Sequence, residues 1–138
     1  MTEPVKPKPT PLAMMICDTV IEDRLTGKKS LIGIFNNISV HKFPCQHPTI
    51  NVFFALTEGI GEYKGCLRCV KLDTNESIMN LNGPLPFPNR LATVEFNFEL
   101  KNVVFPAEGQ YIFELLCDDQ LVISRKFIVS KIKESKPA

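Results

Sequence analysis

Apolar and polar residues alternate along the later half of the chain. In Thr93–Leu100, the residues Val94, Phe96, Phe98 and Leu100 fall on one side, and Thr93, Glu95, Asn97 and Glu99 on the other. Gln110–Cys117 repeats the pattern through Tyr111, Phe113, Leu115 and Cys117. A period of two suits a strand with one wet face, whereas a helix would scatter these positions around its surface. Ile50–Thr57 behaves likewise, with Ile50, Val52, Phe54 and Leu56 on one face, and Ser30–Phe35 is apolar and β-rich throughout. Further strands are predicted near Cys66–Leu72 and Ser77–Leu81, and from Leu121 to about Ile132.

Turn signals separate these runs. Thr26-Gly27 suits the tip of a first hairpin, because glycine tolerates positive φ. Asp73–Glu76 and Cys117–Gln120 read as hairpin loops, and Gly59-Ile60-Gly61 as a tight connection between strands. Phe43-Pro44, Phe87-Pro88 and Phe105-Pro106 fall where strands should end, since proline has no amide hydrogen for a ladder. Pro84, Pro86 and Pro88 read as a stiff connection that cannot be a central strand. The pattern predicts an all-β protein, an antiparallel immunoglobulin-like β-sandwich of about seven or eight strands. The Cys…Trp…Cys core signature of such sandwiches is missing, because the chain has no Trp. Tyr111, at the start of a late strand, is expected to bury its ring and bond its hydroxyl to the backbone, or to be a plain core tyrosine.

At 138 residues, 44% of them hydrophobic, the chain supports one domain with a real core. Residues 1–11 read as a flexible Pro/Lys-rich arm, 12–132 as a single β-sandwich domain, and 133–138 as a polar tail. A net charge of +1 leaves no strong field for nucleic acid or an anionic membrane, so neither is an expected partner. No stretch approaches the about 18 apolar residues that a bilayer span requires. The prolines at 4, 7, 9 and 11 interrupt any signal-peptide core. Five cysteines are too few, and odd in number, for a disulfide scaffold. The expected location is the cytoplasm, with reduced thiols.

Four stretches resemble a known family. Cys17-Asp18-x-Val20-x-x-Asp23, then Thr26–Phe35, then Phe43-Pro44-x-x-His47-Pro48 resemble the opening of an uncharacterised bacterial domain family, and Phe105–Leu116 resembles its last third. The likeness extends from about 12 to 130. It implies a β-sandwich character and a bacterial origin. That family has no assigned activity, so the resemblance brings no catalytic or binding residue.

The best metal-ligand candidates are His41, Cys45 and His47 in one segment, with Cys66 and Cys69 further on. Imidazole and thiolate suit zinc, and four such groups make a closed tetrahedral site. Against this, a Cys-x-x-Cys lying in a strand points its two sulfurs to opposite faces. The motif also lacks the helix start that a thioredoxin-like dithiol needs. No Gly-x-Ser-x-Gly elbow occurs, and both histidines lie in one segment. Glu22-Asp23 and Asp118-Asp119 suit solvated turns better than calcium or acid–base chemistry.

No nucleophile and base pair can be named, so no enzyme and no cofactor are expected. The expected function is that of a non-catalytic protein-interaction or structural module. Its partner is a protein or a second copy, met through a sheet edge, through the loop Asn36–Thr49, or through the exposed face of Tyr63–Leu72. The alternative is a small-ligand or zinc-binding sensor using the His41–His47 loop with Cys66 and Cys69.

Overall fold

The computed structural model describes residues 6–132, which hold nine strands and no helix. In chain order they are β1 (Thr10–Glu22), β2 (Lys29–Ile34), β3 (Asn37–Val40), β4 (Cys45–Thr57), β5 (Gly61–Lys71), β6 (Glu76–Phe87), β7 (Val94–Phe105), β8 (Gly109–Cys117) and β9 (Gln120–Lys131). They form two sheets, ordered β2-β1-β4-β7 and β3-β9-β8-β5-β6.

Two expectations are corrected here. The strands number nine rather than seven or eight, because Asn36–Thr49 is not one long loop. It contains β3 and the first residues of β4. Four residues of β3 are too few to display a period of two. The pairing is also not wholly antiparallel, since β3 runs parallel to β9 while all other pairs are antiparallel. The chain leaves the first sheet after β2 and enters the second at Asn36, whose carbonyl accepts a bond from the Ile128 amide. From there it runs in the same direction as β9.

The alternating positions form the core between the sheets. Ile50, Val52, Phe54 and Leu56 of β4 are all 0% exposed, as are Tyr111, Phe113 and Leu115 of β8. Phe127 of β9 lies among three rings, with centroids 5.0 Å from Phe113, 5.5 Å from Tyr111 and 5.6 Å from Phe105. The Tyr111 hydroxyl donates to the Ala107 carbonyl, so the buried ring carries no orphaned polar group. On β7, Leu100 is buried, but Val94, Phe96 and Phe98 are only partly so. β7 ends its sheet and these side chains sit at the flank of the sandwich.

The turns follow their sequence signals. Asp118 and Asp119, with φ of 48° and 67°, close the two-residue β8–β9 hairpin, which requires positive φ at both positions. Gly27 (φ 71°) closes the β1–β2 hairpin, where the Asp23 carboxylate accepts from the Leu25 and Thr26 amides at 2.8 and 3.0 Å. Phe87 and Phe105 are the last residues of β6 and β7, and Phe43-Pro44 directly precedes β4.

Pro84 and Pro86 correct another expectation, because they belong to β6 rather than to a connection. The amide and carbonyl of Lys64 on β5 both bond to Asp118, away from β6. The odd residues of β5 therefore face β6, and they pair with the odd residues of β6. Pro84 and Pro86 thus face the free edge, where no donor is needed. They also deny that edge two donors to an incoming strand.

Of the expected arm, residues 1–5 lie outside the described residues, as do residues 133–138 of the expected tail. Lys6 to Pro9 lie against the end of the sandwich, with Pro9 buried, and Thr10 already begins β1.

Candidate interaction surface

β1 is longer than its pairing with β4. That ladder ends at Cys17 opposite Asn51, and from Thr19 to Glu22 β1 pairs only with β2. The resulting hairpin is laid back over the outer face of its own sheet. Lys29, at the start of β2, sends its Nζ 2.7 Å from the carbonyl of Glu95 on β7, at the opposite edge of the sheet. Asn51, Phe53 and Ala55 point away from the core, yet they are only 6–8% exposed. Asn51 is bonded on both sides, giving its Nδ2 to the Asp18 carbonyl and accepting from Asn97 Nδ2, each at 2.8 Å. A buried amide with both ends satisfied costs little and fixes where the hairpin leaves the sheet.

Gly33 permits this departure. Its φ is +72°, and a Cβ there would run into the Asp18 carboxylate. Beyond it, the cross-strand pair Val20 and Leu31 is half-buried. The alternate face carries Ile21, Ile32 and Ile34, exposed by 47%, 49% and 53%, with Leu25 at the tip exposed by 97%. Cross-strand pairing sets Ile32 opposite Thr19 and Ile21 opposite Ser30, so these residues share one face. Leaving such a strip in water forgoes about 25 cal/mol for each Å² that a partner would cover.

The four sheet edges differ in how they are guarded. β6 carries its two outward prolines. β7 shows Glu95, Glu99 and Lys101 on its exposed face. β3 has only four residues. β2 has no charge between Ser30 and Ile34 and neither of the other two guards.

The metal candidates are not assembled. His41 is exposed in the turn between β3 and β4. Cys45 opens β4 opposite Phe105, and His47 is half-buried there with its ring 6.1 Å from Phe35. Cys66 and Cys69 lie on β5 in the other sheet. Cys66 faces outward and its Sγ lies 3.1 Å from Asn80 Oδ1, whereas Cys69 is wholly buried in the core. Among the described residues no cluster of three or more His, Cys, Asp or Glu side chains suits a metal ion. Burial pushes the Cys69 thiol up to about 12. It also pushes Cys117 up to about 11, with the Asp118 charge adding to the effect. Both thiols are therefore poor nucleophiles.

One carboxylate of each pair, Asp23 and Asp118, is committed to local structure. The Thr26 and Leu25 amides hold the Asp23 carboxyl below the usual range. The Lys64 amide does the same for Asp118, with Lys6 adding to it. Gly59 and Ile60 lie in the connection between β4 and β5, and Gly61, at φ 73°, opens β5. On the outer face of Tyr63–Leu72, Arg68 pairs with Glu114 at 2.9 Å. Arg125 sits opposite Phe113, and its buried Nε has no hydrogen-bond partner. The hairpin strip was missed in the sequence because Ser30–Phe35 is apolar without alternation. The one available signal was Gly33 inside that run.

Two sheets packed face to face, with no helix among the described residues, define an all-β two-layer protein. Within that class, the chain belongs to the family of unknown function DUF6941, which matches residues 12–130. No curated protein matches it. Among solved structures, the chain is similar to the Pseudomonas fluorescens alkylpurine DNA glycosylase AlkC bound to DNA containing an abasic site analog, with a TM-score of 0.51 and 10% identity. That likeness covers 89% of this chain and 30% of the glycosylase chain. It is a likeness of fold alone.

Proposed function

We propose that this protein is a non-catalytic interaction module of immunoglobulin-like type, acting through the β1–β2 hairpin on a protein surface. The immunoglobulin-like reading is supported by the two stacked sheets and by the Tyr111 hydroxyl bonded to a carbonyl four residues upstream, as at a tyrosine corner. The interaction reading is carried by one observation. The hairpin half-buries Val20 and Leu31 and turns Ile21, Ile32 and Ile34 to solvent beside the least guarded edge. A second copy of the chain is the simplest occupant, because a two-fold axis can pair a free strand with itself. Five cysteines without a disulfide accord with a reducing, cytoplasmic setting.

Sedimentation velocity over a concentration series, on the full chain and on Ile32→Lys with Ile34→Lys, tests this. The expected result is a concentration-dependent dimer that the double substitution abolishes without loss of the β-sheet circular dichroism signal. A monomer at every concentration, or a dimer indifferent to the substitutions, would overturn the reading.

A further inference from the structure

The end of the sandwich remote from the hairpin's exit holds a second constellation, built around the segment that precedes β1. The Lys6 ammonium donates to the Glu62 carbonyl and lies 3.2 Å from Asp118 Oδ2 and 4.7 Å from the centre of the Tyr63 ring. A carbonyl, a carboxylate and an aromatic face together are what a primary ammonium seeks. The next residue is read as well, since the Tyr63 hydroxyl donates to the Pro7 carbonyl at 2.6 Å.

The receiving groups are held in place independently of the segment. Tyr63 is 2% exposed, packs edge-on against Phe87 at 5.3 Å, and accepts from the Ile60 amide at 3.1 Å. Asp118 Oδ1 is taken by the Lys64 amide at 2.8 Å, which leaves Oδ2 for the cation. A shallow open groove of about 580 Å³ continues from Tyr63 and Asp118 past Lys64, Asn82 and Pro84.

The hold on Lys6 is light. Its side chain and that of Asp118 remain 43% and 39% exposed. Exposed ion pairs and cation–π contacts of this kind are individually weak. A ligand that repeats the contacts and also lies in the adjoining groove would gain contacts that Lys6 and Pro7 do not make.

We propose that this end of the sandwich is a receptor for an extended Lys-Pro segment of another protein, with Lys6-Pro7 as the built-in competitor. Lysine supplies the cation, and proline presents its carbonyl on an extended backbone with little ordering cost. The site stands apart from the hairpin, so its failure would leave the interaction reading untouched, and the converse holds too.

The test uses the full chain and a fluorescent peptide, Pro-Val-Lys-Pro-Lys-Pro-Thr, read by anisotropy. Lys6→Ala should bind the peptide roughly tenfold more tightly than the unsubstituted chain, because the resident ammonium no longer competes for the Glu62 carbonyl, Asp118 and the Tyr63 ring. Adding Tyr63→Phe or Asp118→Asn should weaken that binding again, and a peptide with alanine at both lysines should not bind. Equal affinity in the presence and absence of Lys6, or no binding to a folded Lys6→Ala chain, would overturn the proposal. Self-association of the unsubstituted chain that Tyr63→Phe abolishes would overturn it as well, since the occupant would then be a second copy.

Discussion

Tyr111 shows how one side chain serves two purposes. Its ring fills the core beside Phe105 and Phe127, and its hydroxyl satisfies the Ala107 carbonyl. Tyr111→Phe keeps the ring and removes the bond to a carbonyl that water can reach, so it should cost about 0.5–1.5 kcal/mol, read as a lower urea midpoint at unchanged slope. The thiols offer a second check. Cys69 and Cys117 stay protonated in the fold well above their ordinary value of 9.0. Their contribution to stability is therefore complete below about pH 9, and it is lost as the pH rises through their folded values, because the unfolded thiols ionise first. Stability should fall measurably between pH 9 and 11. Cys66, facing outward, should react with iodoacetamide in the native protein, while Cys69 reacts only after unfolding. At this scale the sequence was a good guide. Alternation put Cys66 and Cys69 on opposite faces, and the structure has Cys66 beside Asn80 on the outside and Cys69 in the core. It was silent on Lys6 and Pro7, because nothing local announces that Tyr63 lies 56 residues away and within reach.

Among the elements, alternation marked the strands with one wet face and failed where a strand departs from that environment. β7 and β8 were legible because each has a more buried side and a contrasting one, whereas β4 is buried on both. β2 was legible as a strand but not as an exposed one. Its apolar run reads like a core strand, and only its fold-back on the sheet turns Ile32 and Ile34 outward. β6 was misjudged for a definite reason. Prolines forbid a central strand, but they allow an edge strand when they share the parity that faces away from the ladder. The hairpin's path hinges on Gly33, so Gly33→Ala should cost about 1–3 kcal/mol and expose Phe53 and Ala55. Faster amide exchange at Asn51–Ala55 would register that exposure. Adding Asp18→Ala should recover part of the loss by removing the collision, though not the cost of the positive φ.

Across the whole molecule, folding rests on one two-layer core, and the carboxylates tune it from the surface. Asp73 is held below its usual range by the Lys71 ammonium, Asp118 by the Lys64 amide and Asp23 by the Thr26 amide. A lowered carboxyl stabilises the fold above its ordinary value of 3.8 and ceases to do so as the pH falls through the folded value. Acid unfolding should therefore begin below about pH 4, and Asp73→Asn should make the profile shallower. The proposed interaction rests, at this scale, on what the layers leave uncovered. The account is tested most directly by a ¹⁵N-labelled dilution series followed by nuclear magnetic resonance. It predicts that concentration-dependent shifts cluster at Thr19, Ile21, Ser30, Ile32 and Ile34. Shifts confined to β3, β6 or β7, or a spectrum unchanged from micromolar to millimolar protein, would contradict it.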